Sequence, residues 1–196
     1  MEDALFGVAT RNFVVLASDT LFRNNVLVTK SDHIRYTKIT DKTAVISAGN
    51  QGDCERTIQY VVEALKYEEL ANSLLITEKT FTSVLQNHIY TKLRKDPVQT
   101  MSIVGGVSEG EGCLFLIDQY GATSSAKYMA TGYAAHFFLS GMDLKYRPDL
   151  TEEEVIAHIT DIYEGVKKRM VINYGGLHFC VISRDGIREL PQIQCQ

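Results

Sequence analysis

Only three prolines interrupt this chain of 196 residues, of which 45% are apolar. That scarcity of breaks fits one well-buried domain rather than two. No stretch approaches the roughly 18 apolar residues of a membrane-spanning helix. The first twenty residues lack a basic region ahead of an apolar run and contain Glu2, Asp3 and Asp19 instead, which speaks against a secretory signal. The four cysteines, Cys54, Cys113, Cys180 and Cys195, show neither CxxC pairing nor metal-ligand spacing. They read as reduced, buried thiols of an intracellular protein, and no metal site is expected. Basic residues are scattered, the net charge is −4 and the pI is near 5.7. A nucleic-acid partner would call for a basic face, so that class is disfavoured. Repeats, low-complexity runs and linkers are also missing.

What is present is an ordered series of strands and helices. Leu5–Thr10, Asn12–Asp19 and Thr43–Gly49 read as strands, with Arg35 between the last two. Phe13, Val15 and Ala17 alternate with Val14, Leu16 and Ser18, and both sets are largely apolar. Such a strand is expected to be covered on both faces, as in a layered sandwich. A first helix is predicted over about Asp53 to Tyr67, with Asp53 as its cap. A second is predicted from about Glu78 to Lys95, capped by Thr77 and barred from continuing by Pro97. His88 lies on its apolar stripe with no second ligand one turn away, so a packed or partner-facing histidine is expected.

Thr100–Val107 and Cys113–Tyr120 read as a hairpin joined through Gly110 and Gly112. Gly105-Gly106 lacks the strand-to-helix setting of a phosphate loop. Ser124–Ala130 is a further strand candidate, and Tyr133 to about Leu144 a third helix. A fourth helix opens at the capping box Thr151-Glu152-Glu153-Glu154 and ends in Lys167-Lys168-Arg169, which complement its dipole. Phe179–Ser183 and Ile187–Leu190 form a closing hairpin. Pro191 has no N–H to donate and is expected to end the pairing, leaving 191–196 as a C-terminal tail. Two sheets covered by two helix pairs is the economical assembly.

Several short motifs in order carry a family resemblance. They are Val14-Val15-Leu16-Ala17-Ser18-Asp19, Ala48-Gly49-Asn50-Gln51-Gly52-Asp53, Thr131-Gly132-Tyr133, Tyr146 through Glu154, and Arg184-Asp185-Gly186-Ile187. Together the chain resembles a proteasome β subunit over about 180 residues. Within that family it is most like the non-catalytic class that stands fourth in the eukaryotic ring. The resemblance implies an α+β fold, the four-layer αββα sandwich of N-terminal-nucleophile hydrolases, over the whole of 1–196. It also implies no cofactor and a place in the cytoplasm and nucleus. Its partners would be other β subunits, within the ring and across the ring–ring interface, and the α-ring subunits, with the 191–196 tail extended along a neighbouring subunit and anchored there by Ile193.

The resemblance assigns the active-site positions as well. The family's N-terminal threonine falls on Asp3, and a carboxylate cannot form the acyl-enzyme ester that a hydroxyl forms. Asp19 keeps the family's aspartate, while Arg35 replaces its essential lysine and cannot exchange a proton near neutral pH. Thr131 falls at a catalytic serine position, and Val171 and Tyr174 at those of a supporting aspartate and serine. Asp19 and Arg35 are expected to form a retained structural ion pair. The third and fourth helices, through Tyr133, His136, Phe137, Phe138, Met142 and Tyr146, are expected to meet the opposite β ring.

The expectation is therefore a non-catalytic subunit supporting ubiquitin- and ATP-dependent degradation by neighbouring threonine peptidases. Two alternatives are an active threonine peptidase after internal self-cleavage freeing Thr10 or another internal threonine, and a stand-alone binding domain reusing the fold. A bacterial-type self-compartmentalised protease subunit would need an N-terminal threonine and fails on Asp3.

Overall fold

The computed structural model describes residues 3–24 and 27–193. Its first hairpin pairs β1 (Leu5–Ala9) with β2 (Val14–Asp19), and every residue of both strands is buried. Val15 and Ala17 face one apolar cluster and Val14 and Leu16 another, so β2 is covered on both faces as its double apolar pattern requires. A short ribbon of β3 (Phe22–Asn24) and β4 (Leu27–Lys30) follows, then the hairpin β5 (Tyr36–Thr40) and β6 (Thr43–Gly49). The strands β3 to β5 were not legible in the sequence. Their residues are mostly polar or exposed, and no apolar alternation marks them.

Helix α1 (Gln51–Asn72) is longer than its apolar stripe predicts. Asn50, not Asp53, caps it: the Asn50 side chain accepts the Asp53 N–H at 3.3 Å. Asp53 instead accepts the Gln99 N–H at 3.0 Å and ties the helix to the next strand. Beyond Leu65 the helix runs on through exposed residues of high helix propensity and stops at Ser73 in the left-handed region (φ 54°). Helix α2 (Glu78–Lys92) starts at the expected cap, with the Thr80 N–H on the Thr77 hydroxyl at 3.2 Å.

The hairpin of β7 (Thr100–Ser108) and β8 (Glu111–Ile117) continues this second sheet. Gly105 and Gly106 are packing glycines. A Cβ on Gly105 would come within 2.9 Å of Val14 across the sheets, and one on Gly106 within 2.9 Å of Glu78 on α2. The single strand expected over Ser124–Ala130 is two strands in two sheets. β9 (Thr123–Ser125) pairs with β8, whereas β10 (Tyr128–Thr131) pairs with β1, so the chain changes layer between them.

Helix α3 (Ala135–Lys145) and α4 (Glu152–Arg169) cover the other side. The capping box forms, with the Glu154 N–H on the Thr151 hydroxyl at 3.3 Å and the Thr151 N–H on the Glu154 carboxylate at 2.8 Å. The closing hairpin is β11 (Leu177–Ser183) and β12 (Gly186–Ile193). Pro191 does not end it. The ladder skips between the pairs Phe179–Leu190 and Leu177–Ile193, and the proline is taken up in that bulge, where no N–H is needed. Ile193 therefore pairs at home and packs against the cluster under α4, and residues 194–196 lie outside the described residues.

The two sheets run β10-β1-β2-β11-β12 and β5-β6-β7-β8-β9, with every ladder antiparallel. Helices α3 and α4 lie on the first and α1 and α2 on the second, which is the αββα sandwich expected. Three apolar clusters fill the three interlayer spaces. In the first, Phe6 stacks on Phe138 at 4.7 Å between ring centroids, and both are fully buried. Each such side chain contributes about 1.5–3 kcal/mol by burial. No helix among the described residues is long and apolar enough to cross a membrane.

Candidate functional site

Asp19 ends β2 and is held beside the residues that precede β1, its N–H donating to the Ala4 carbonyl at 3.0 Å. Arg35 is brought to the same place by its carbonyl, which accepts the Ser47 N–H of β6 at 3.2 Å. The two do not form the expected carboxylate–guanidinium pair. Arg35 Nη2 meets Asp3 Oδ1 at 2.8 Å and also donates to the Leu21 carbonyl at 2.8 Å, while Nε donates to the backbone carbonyl of Asp19 at 3.0 Å. The Arg35 side chain is almost wholly buried, and Asp3 is its carboxylate partner.

The Asp19 side chain turns the other way. Its Oδ1 accepts the Gly175 N–H at 2.9 Å, the Leu21 N–H at 3.1 Å and the Tyr163 hydroxyl at 3.2 Å. Its Oδ2 pairs with Arg23 Nη2 at 3.1 Å. Burial pushes the Asp19 carboxyl above the usual carboxylate range, and the Leu21 and Gly175 amides and the Arg23 and Arg35 charges pull back against it. Arg23 also donates to the Asn173 carbonyl at 2.8 Å and lies over the Tyr174 ring, 5.5 Å from its centroid. Ion pairing thus alternates: Asp3 with Arg35, and Asp19 with Arg23. Neither Arg23 nor Tyr163 was picked out from the sequence. Tyr163 continues the helical spacing of Val155 and Ile159 and was findable that way, whereas Arg23 lies in a ribbon that has no sequence signature.

Of the remaining sequence-derived positions only Tyr174 joins this cluster, through Arg23 and Tyr163. Thr131 is buried opposite Leu5 in the β1–β10 ladder, and its hydroxyl has no hydrogen-bond partner among the described residues. Tyr174 is buried against Tyr163, with ring centroids 5.7 Å apart. Val171 is fully exposed. A cleft of about 490 Å3 opens beside Arg35 between β5, β6 and α1, lined by His33, Lys38, Gln51, Cys54 and Glu55 among others. Burial and the nearby Arg35 hold the His33 imidazole below its ordinary value. His88 is half-buried, its ring 4.5 Å from that of Tyr60. Among the described residues no group of three or more His, Cys, Asp and Glu is placed to hold a metal ion.

The sequence matches the family model described as proteasome subunit over residues 3–182. The chain belongs to the proteasome subunit family. A protein called probable proteasome subunit beta type-4 from Encephalitozoon cuniculi is 33% identical over 185 residues, 94% of each chain. Proteasome subunit beta type-4 of Saccharomyces cerevisiae is 24% identical over 197 residues, 99% of this chain and 100% of that one. The Schizosaccharomyces pombe protein called probable proteasome subunit beta type-4 is 26% identical over 191 residues, 96% and 98% of the two. This proteasome subunit is therefore of the eukaryotic β type and similar to the type-4 group. Just ahead of its first strand the Asp3 carboxylate is tied to the Arg35 guanidinium.

The faces of the outer helices also sort themselves. Of the aromatic and apolar residues expected to reach the opposite ring, Phe138 and Met142 are fully buried in the subunit's own core. Tyr146 is partly buried, and its hydroxyl donates to the Ala9 carbonyl at 3.0 Å. Tyr133, His136 and Phe137 do face outward, and Leu144, 88% exposed, extends their stripe along α3.

Proposed function

We propose that this chain is a structural subunit in the fourth position of the β ring of the 20S core particle. In that role it supports ubiquitin- and ATP-dependent degradation in the cytoplasm and nucleus while neighbouring threonine-peptidase subunits cut the substrate. The observation that carries the reading is the Asp3–Arg35 pair. Asp3 stands at the position that the resemblance assigns to the nucleophile, and its 2.8 Å bond to Arg35 joins that position to the one where the family has a lysine. A carboxylate held by a permanent cation is neither a hydroxyl nucleophile nor next to a usable base. The whole chain would act as one β-type domain, meeting α-ring subunits, its β-ring neighbours and, through the exposed stripe of α3, the opposite β ring.

Nothing favours a peptidase released before Thr10. That residue is buried, its N–H and hydroxyl both donate to the Phe13 carbonyl in the β1–β2 turn, and the cut would remove β1 from between β10 and β2. The test is a native mass measurement of the purified particle after treatment with a peptide epoxyketone. This chain is expected in the particle and unmodified while neighbours carry the adduct. Adduct on any of its threonines, or its absence from the particle, refutes the reading.

A further inference from the structure

A second cavity, of about 410 Å3, lies at the end of β5 and β6 opposite to Arg35. The β5–β6 turn, the α1–α2 loop and the end of β7 enclose it. Four of its lining residues are acidic, Asp41, Glu69, Glu78 and Glu109, against one lysine, Lys42. Asp41 is already paired with Lys38 at 2.6 Å, but Glu69, Glu78 and Glu109 have no ion-pair partner among the described residues.

Glu78 decides what the cavity is for. It is the first residue of α2, where a carboxylate is favoured by the helix dipole, but an exposed one would serve that purpose equally well. Here it is 2% exposed, and its Oε1 has no hydrogen-bond partner among the described residues. The glycine at 106 makes room for it, since a Cβ there would meet the Glu78 side chain at 2.9 Å. One turn along the same helix the buried Thr82 hydroxyl is likewise without a partner, so it does not supply the missing donor. A buried carboxylate with no donor is costly, and the natural complement is a cation that brings several. Because no three ligating groups converge among the described residues, a metal ion is a poor fit.

The rim says where that cation comes from. In the loop after α1, Leu75 lines the cavity and is 76% exposed, an apolar surface that a free ion would leave uncovered. We infer that this cavity is a socket for a lysine or arginine side chain of a neighbouring subunit, whose adjoining apolar side chain covers Leu75. The inference rests on the subunit reading above and adds a specific acidic, apolar-rimmed contact to it.

The test uses the assembled particle. In co-expression with wild type, Glu69→Lys should enter particles about tenfold less often, since it places a like charge at the socket. Glu69 is exposed, so the free variant should melt as wild type does. Glu78→Gln should also be under-represented, and Glu69→Gln should fall between wild type and Glu69→Lys. A structure of the wild-type particle should show a neighbour's cationic nitrogen within ~4 Å of the Glu69 or Glu78 carboxylate. Equal incorporation of Glu69→Lys overturns the inference, as does a cavity in the particle filled by water, a metal ion or this chain's own Lys42. Absence of the wild-type chain from particles would instead refute the subunit reading itself.

Discussion

Replacing Arg35 by methionine keeps much of the side chain's bulk and removes its charge. Three partners are then left: the Asp3 carboxylate, 17% exposed, and the carbonyls of Asp19 and Leu21. Breaking a buried ion pair by deleting one member costs about 3–5 kcal/mol, because the other charge stays behind unpaired. For a chain of this size that lowers the melting temperature by about 6–20 °C. Arg56→Met is the control. That guanidinium is 79% exposed beside Asp53, and its loss should cost at most about 1 kcal/mol. Urea titrations of the purified chain read the difference, and a double-mutant cycle assigns it. Coupling between Arg35→Met and Asp3→Asn should exceed about 1 kcal/mol, whereas Asp19→Asn should couple to Arg35 weakly, since Arg35 meets only the Asp19 backbone. The reasoning is refuted if Arg35→Met costs no more than Arg56→Met, or if the larger coupling lies with the Asp19 side chain.

Outward and inward aromatic residues of α3 should separate cleanly by assay. Phe137→Asp or Leu144→Asp should leave the free subunit folded and stall assembly at half-particles of one α and one β ring, while Phe138→Ala should destabilise the subunit itself by about 3–5 kcal/mol. Normal double-ring particles from the two exposed variants would count against the ring–ring contact. Acid should weaken the packing of α1 on α2. Burial and Lys92 hold the His88 imidazole below its ordinary value, so its contribution is present above about pH 6.5 and is lost as pH falls through the lower folded-state value. His88→Gln should therefore flatten the fall in melting temperature between about pH 7 and pH 5, and an unchanged slope would remove His88 from the account.

Local chemistry was enough to read the layers. The doubly apolar β2, the Thr77 cap, the Thr151–Glu154 capping box and the glycine-marked hairpins each announce themselves within a few residues, because caps, turns and period-two burial are short-range physics. That Asp3 and Arg35 are not a hydroxyl and an amine was also settled by residue identity alone. What the sequence could not give was partnership. Asp19 and Arg35 looked like a pair because both are charged and the resemblance aligns both with active-site positions. The fold instead sends the Asp19 carboxylate toward Arg23, Tyr163 and Gly175 and offers Arg35 only its carbonyl. The same holds for Pro191, harmless once a bulge receives it, and for Phe138, which faces the core while its neighbour Phe137 faces out. The Asp19–Gly175 bond joins residues 156 positions apart, and only the packing of the sheets and helices fixes which of several chemically equivalent partners comes within bonding distance.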